Sequence, residues 1–149
     1  MNNQKIIFVA CLCFLLFTLF FSACEKDSPT KPKDDMSLVG TWDVSLMGYE
    51  HQAETITYTE SQLDSMGIIW TLKFEEDGTA EQTTNMSGPL VTFPGTWSTS
   101  GENLTMILTA TSGETATLVY KYAIDGNILK INWSIPAGTE FEAEFTKQN

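Results

Sequence analysis

The chain has 149 residues, with 8 basic side chains, all lysine, against 19 acidic ones, for a net charge of −11. Such a surface repels nucleic acid and anionic lipid, and the absence of arginine removes the usual bidentate partner of phosphate. Beyond an apolar start and a short linker about 110 residues remain, enough for one domain with its own core.

The start has the layout of a signal peptide. Lys5 supplies a basic beginning, and Ile6 to Phe21 is almost wholly apolar, with Thr18 its one hydroxyl. The run falls just short of the about 20 apolar residues a membrane-spanning helix needs. Small residues then follow, as at a peptidase site, so residues 1–23 read as a signal. Phe21-Ser22-Ala23-Cys24 resembles the lipobox of bacterial lipoproteins, departing from it at Phe21, where an aliphatic residue is usual. The resemblance implies cleavage before Cys24, acylation of its thiol with palmitate-type chains, and a membrane as partner through the N-terminal lipid. The alternative is an ordinary secretory signal with a chance cysteine. Cys11 and Cys13 would leave with the signal, so Cys24 would have no disulfide partner, and acylation accounts for a lone thiol in an exported chain. Stable attachment needs more than one acyl chain, as such lipoproteins carry. Glu25 after the cysteine leans towards the outer membrane in the enterobacterial sorting rule, and Glu25-Lys26-Asp27 resembles a surface-export tag. The expected place is the Gram-negative cell envelope, at the outer membrane, facing the periplasm or the exterior.

Residues 24–37 read as the lipidated cysteine and a disordered linker, with Pro29, Pro32, three lysines and four acids between Glu25 and Ser37. From residue 38 to 149 a period of two dominates, the pattern of half-buried strands. Trp42, Val44 and Leu46 share a face. Gly48 to Tyr58 is polar and reads as a loop or one more strand. Thr59 to Gly67 breaks the alternation as a short helix near 60–66: Thr59 can cap it, Gln62 completes a capping box, and Gly67 can end it. This excursion across one end of the fold is either a plug or a lid.

Trp70, Leu72 and Phe74 alternate with Thr71, Lys73 and Glu75, and Asp77-Gly78 is a hairpin turn. Thr79 to Asn85 is a weakly specified return strand. Val91, Phe93 and Trp97 share a face that Pro94-Gly95 bends. Ser100-Gly101, Ser112-Gly113, Asp125-Gly126-Asn127 and Ala137-Gly138 then separate four further strands. Their apolar faces carry Leu104, Met106 and Leu108; Ala116, Leu118, Tyr120 and Tyr122; Leu129, Ile131, Trp133 and Ile135; and Phe141, Ala143 and Phe145. Eight or nine strands joined by tight turns make an all-β, up-and-down antiparallel β-barrel, since closure removes the unpaired edges of a long meander. The polar outer face fits a water-borne barrel and opposes a transmembrane one.

Leu38-Val39-Gly40-Thr41-Trp42 resembles the first strand of lipocalins and of the lipocalin-like domains of bacterial lipoproteins. Leu72 to Thr79, Gly95-Thr96-Trp97 and Tyr122 to Leu129 are similar to later segments of that group. The resemblance covers about Leu38 to Thr146 and implies that Trp42 packs across a closed barrel end and that the interior takes a small apolar ligand. Lipocalins proper often pack an arginine on this tryptophan, and this chain has none. The second Gly-Thr-Trp reads as convergent chemistry at a strand start and not as a repeat.

Catalysis finds little support. His51 is the one histidine, so a triad or zinc site would have to use it; with Glu50 and Glu54 nearby it reads as an exposed loop residue. Glu140, Glu142 and Glu144 read as a solvated stripe. No catalytic residue, metal site or cofactor is marked out, phosphate and dinucleotide fingerprints are missing, and an unrecognised carboxylate hydrolase is the residual enzymatic reading. The candidate pocket residues are the inward aromatics Trp70, Phe74, Phe93, Tyr120, Tyr122, Trp133 and Phe141. The expected function is binding of a small apolar or amphipathic molecule by a membrane-anchored lipocalin-like barrel. The alternative is a solid barrel serving as a structural or protein-interaction module of the envelope, its protein partners not specified by the sequence.

Overall fold

The computed structural model describes residues 36–51, 54–135 and 138–149, without the side chain of His51. The signal segment, Cys24 and the linker up to Asp35 lie outside the described residues. Nine strands follow one another: β1 (Gly40–His51), β2 (Glu54–Thr59), β3 (Trp70–Phe74), β4 (Thr79–Thr84), β5 (Val91–Ser100), β6 (Asn103–Thr109), β7 (Thr115–Asp125), β8 (Ile128–Ile135) and β9 (Thr139–Lys147). Helix α1 (Glu60–Ser65) joins β2 to β3. Strands β3 to β9 pair antiparallel in sequence order, and β1 pairs with both β3 and β9. Eight strands therefore close a ring, and β2 lies beside it on β1, opposite Leu46 to His51. The described residues of the polar stretch, 48–51 and 54–58, are thus strand, and His51 ends β1 where the sequence suggested a loop.

Tight turns set the register. At Asp77-Gly78 the glycine has φ +84°, and the Asp77 carboxylate accepts from the Thr79 amide at 2.9 Å and hydroxyl at 2.7 Å. Such a turn holds the strands close enough for the alternation to bury one face of each. Trp42, Leu72, Phe74, Leu104, Met106, Leu129, Ile131 and Phe145 are wholly buried. Each contributes roughly 1.5–3 kcal/mol through burial.

Strand β1 departs from simple alternation. Its register against β9 shifts between Val44 and Leu46, the mark of a β-bulge. The bulge turns Leu46 off the Trp42 face, and Met47 packs on the core in its place. Alternation alone put Leu46 inside, because a bulge adds one residue without a signal in the hydrophobic pattern.

The two ends of the barrel differ. The base holds Leu38 and Trp42, whose indole N–H donates to the Leu38 carbonyl at 2.7 Å. The Lys147 ammonium lies 5.0 Å from the centre of the Trp42 ring and donates to the Ser37 carbonyl at 3.2 Å. A lysine from the last strand thus covers the tryptophan, as an arginine does in lipocalins proper. Gly40 makes this approach feasible: its φ is +134°, and a Cβ there would stand 2.8 Å from Lys147 Cε.

Trp97 secures the next turn of the base. Its indole N–H donates to the Glu75 carbonyl at 3.0 Å, and its ring meets Phe74 edge-on at 5.4 Å. The second Gly-Thr-Trp, however, does not begin a strand. Gly95 lies within β5, and a Cβ on it would stand 2.0 Å from the Ile107 carbonyl oxygen of β6. The first glycine admits a side chain over the base, whereas the second lets two backbones close at a bend.

Helix α1 starts as its sequence dictates. Gln62 Oε1 accepts from the Thr59 amide at 2.9 Å and from its hydroxyl at 3.1 Å, and Gly67 follows with φ +67°. Leu63 is its one buried residue. The helix packs on β1 and β2. Asn85, just past β4, ties down the segment that returns to β3: its amide donates to the Gly67 carbonyl at 2.6 Å, and its carbonyl accepts from the Ile69 amide at 2.8 Å.

Candidate functional site

Towards the end opposite the base, side-chain size decides how much of the interior is filled. On the side of β8, β9 and β3 the inward residues are large. Trp133 stacks on Phe141 at 5.2 Å and meets Trp70 and Tyr120 edge-on at 5.8 and 5.7 Å. Trp70 in turn meets Phe145 at 5.0 Å. These rings form a continuous aromatic block. Burial pushes the Tyr120 hydroxyl up to about 12, because removing the phenolate from water disfavours the charged form.

Across the barrel the inward residues shrink. Strand β4 presents Ala80, Gln82 and Thr84, and β7 presents Ala116 above Leu118. A cavity of about 570 Å³ lies there, walled by Phe93, Leu108, Ala116 and Leu118. Ala110 and Glu114 of the β6–β7 connection and Thr115 at the start of β7 border it, and Gln82 brings an amide to it. An eight-stranded barrel is just wide enough for such a space when part of its interior is small side chains. Two buried side-chain atoms have no hydrogen-bond partner among the described residues, Gln82 Oε1 of β4 and Trp70 Nε1 of the aromatic block. Apolar residues also mark the rim: Met66 and Ile69 stand exposed on one loop that Asn85 joins, and Met86 and Leu90 on the other.

A smaller hollow of about 340 Å³ is bordered by Tyr49, Trp133 and Phe141 and by Glu50, Glu140 and Glu142. Glu144, further along the same strand, pairs with Lys130 at 2.6 Å. Among the described residues, no three His, Cys, Asp or Glu side chains are grouped to hold a metal ion.

The aromatic candidates therefore separate. Phe93 walls the larger cavity, and Trp133 and Phe141 border the smaller hollow. Trp70 and Tyr120 belong to the aromatic block. Phe74 is wholly buried at the base, and Tyr122 packs half-buried against the core. Gln82, Leu108, Ala116 and Leu118 are the wall residues that aromatic content did not mark. The signal for Gln82 was its parity with Ala80 in a strand too polar to suggest which face was inward.

Comparison with known proteins accords with this architecture. The family model of the lipocalin-like domain matches residues 38–134. A solved lipocalin-like protein from Bacteroides uniformis is 18% identical, with TM-score 0.50, over 74% of this chain and 98% of its own. A protein from Bacteroides eggerthii is 16% identical, with TM-score 0.47, over 74% and 99%. A designed fluorescence-activating β-barrel is 13% identical, with TM-score 0.44, over 74% and 93%. No curated protein matches the chain.

Proposed function

The chain belongs to the lipocalin-like domain family, and on that premise we propose that its barrel binds a small apolar or amphipathic molecule in the cavity between β4 and β7. The cavity itself carries the reading. It lies within the size of small-molecule sites, has mostly apolar walls and holds a few polar groups, as such sites do. We read the site as a binding site, because its walls are mostly apolar and its one ionisable wall residue, Glu114, accepts a hydrogen bond from the neighbouring Ser112 hydroxyl at 3.4 Å. The apolar residues at the rim suit passage of an apolar ligand from water into the barrel.

Thermal denaturation with a panel of alkyl amphiphiles and an environment-sensitive hydrophobic dye tests this. A ligand at about 100 times its Kd adds roughly 2.7 kcal/mol, a rise of several degrees in Tm. Ala116→Phe, which fills the cavity, should abolish the rise while melting remains cooperative. Unchanged melting of the unsubstituted protein across the whole panel, with no dye response, would mean that the barrel is not a binding site.

The place of action is part of the same proposal. Signal-like residues 1–23 and Cys24 support a lipid-anchored protein of the outer membrane, with the barrel in water beside it. Labelled palmitate should enter the native protein and fail to enter Cys24→Ser. Equal labelling of both, or of neither, refutes the anchor and leaves the cavity reading untouched.

A further inference from the structure

The larger cavity carries one charge, and the strand register places it. Ala110 opposes Glu114 in continuation of the ladder that pairs Leu108 with Ala116, the Ala110 amide donating to the Glu114 carbonyl at 2.8 Å. Successive residues of a strand alternate between its two faces, so Glu114 stands at an inward position with Ala116, Leu118 and Tyr120. The other inward residues of β6 and β7 are apolar or aromatic. Glu114 borders the cavity together with Phe93, Leu108, Ala110, Ala116 and Leu118, and among the described residues no lysine does. Its bond from the Ser112 hydroxyl, at 3.4 Å, is long for a carboxylate acceptor, where about 2.5–2.7 Å is usual. A carboxylate beside an apolar wall loses part of its hydration, and a counter-charge in the cavity offsets that loss.

We infer that the cavity takes a cationic amphiphile, an alkyl chain ending in an ammonium group, with the chain among Phe93, Leu108 and Leu118 and the ammonium on the Glu114 carboxylate at the rim. The inference rests on the cavity-binding reading above and names the class of molecule. An ammonium offers donors and no acceptor, and an ionised carboxylate only accepts, so the two groups match. Glu114 is exposed, so the pair forms at the water's edge, where the head group keeps part of its hydration and only the chain is buried. A fatty-acid anion would bring its charge against Glu114 with no lysine on the wall to offset it. The net charge of −11 acts in the same sense at longer range, drawing cations and repelling anions. A neutral alcohol finds the same apolar walls without the counter-charge.

Three probes of equal chain length separate these cases: octylamine, octan-1-ol and octanoate at pH 7, where the amine is protonated and the acid ionised. Affinity is measured by isothermal titration calorimetry of the purified protein at low salt, where the pair is least screened. Octylamine should bind roughly fivefold more tightly than octan-1-ol, the effect of one charge pair at a partly hydrated site, and octanoate more weakly than either. Two variants, each removing one exposed negative charge, then locate the pair. Glu114→Gln should bring the amine-to-alcohol ratio to about one. Glu76→Gln, beside the Asp77-Gly78 turn, should leave that ratio near its parent value. Equal affinity for amine and alcohol, tightest binding of octanoate, or a ratio that Glu114→Gln does not lower overturns the inference while leaving the cavity reading intact. A ratio lowered equally by both variants assigns the preference to net charge and overturns it too. If none of the three binds, the inference fails, and the thermal panel above decides the cavity reading on its own.

Discussion

Gly95→Ala is the most demanding test of the barrel's geometry. The added Cβ would stand 2.0 Å from the Ile107 carbonyl oxygen, 2.9 Å from its carbon and 3.0 Å from the Leu108 Cα. All three are backbone atoms of a paired strand, so no side chain can swing aside. Ordinary contact begins near 3.4 Å, so β5 and β6 must separate by about 1.4 Å where Gly95 pairs with Leu108 and Thr96 with Ile107. Overpacking of this kind costs about 1–3 kcal/mol, and two weakened ladder hydrogen bonds add about 1 kcal/mol each. The expected loss is roughly 3–5 kcal/mol, a large share of the 5–15 kcal/mol typical of a domain. Gly48→Ala is the matched control. Its Cβ would meet the Glu142 side chain at 2.8 Å, which can swing into water, and only one backbone atom, the Ile56 carbonyl oxygen, at 3.3 Å, so the cost should be about 1 kcal/mol, well below that of Gly95→Ala. Urea denaturation followed by tryptophan fluorescence measures both. If the two variants lose the same stability, or Gly95→Ala stays within about 1 kcal/mol of the parent, β5 does not bend as described.

Three further outcomes follow from contacts at the base, the rim and the aromatic block. Lys147→Met removes the cation over Trp42 and the hydrogen bond to Ser37, and should lower the urea midpoint by the equivalent of about 1 kcal/mol, with Lys147→Arg close to the parent. Asn85→Ala deletes both ties to the α1–β3 connection. It should cost about 1–2 kcal/mol and speed amide exchange in residues 60–69, with β6 to β8 unaffected. Tyr120 is neutral in the folded state up to about 12, whereas an unfolded tyrosine ionises near 10. The stability this gives is complete below pH 10 and is lost as pH rises towards 12. Absorbance titration should show one late component that Tyr120→Phe abolishes, and Tyr120→Phe should flatten the loss of stability in that window.

The fold was legible because its signals are local. Asp77-Gly78 and the later glycine turns divide the chain into strands, and the period of two from Leu104 to Leu108 or Leu129 to Trp133 gives their faces. Thr59 and Gln62 announced α1 three residues apart. The Leu46 face was misread because the bulge depends on pairing with β9, about a hundred residues away. The base was legible in Trp42 but not in Lys147, since the resemblance pointed to an arginine. The cavity was the least legible part. It arises from what β4 and β7 lack: Ala116 reads as inward without showing that its small side chain leaves space, and Gln82 reads from sequence as surface as readily as wall. Aromatic content pointed instead to the block that fills the other half.

The seam between β9 and β1 has a consequence for the order of events as the chain folds. From β3 to β9 every pairing is a hairpin, closed over a few residues. The seam alone joins residues as distant as Trp42 and Lys147. Loop-closure entropy grows as the logarithm of length, so drawing these two together costs roughly 3 kcal/mol more than closing a four-residue turn. The meander can thus form strand by strand, and sealing of the ring is the slow step. The Trp42–Lys147–Ser37 contact, beside the Gln148 amide that donates to the Thr41 carbonyl at 2.8 Å, then acts as a latch that keeps the sealed ring from reopening.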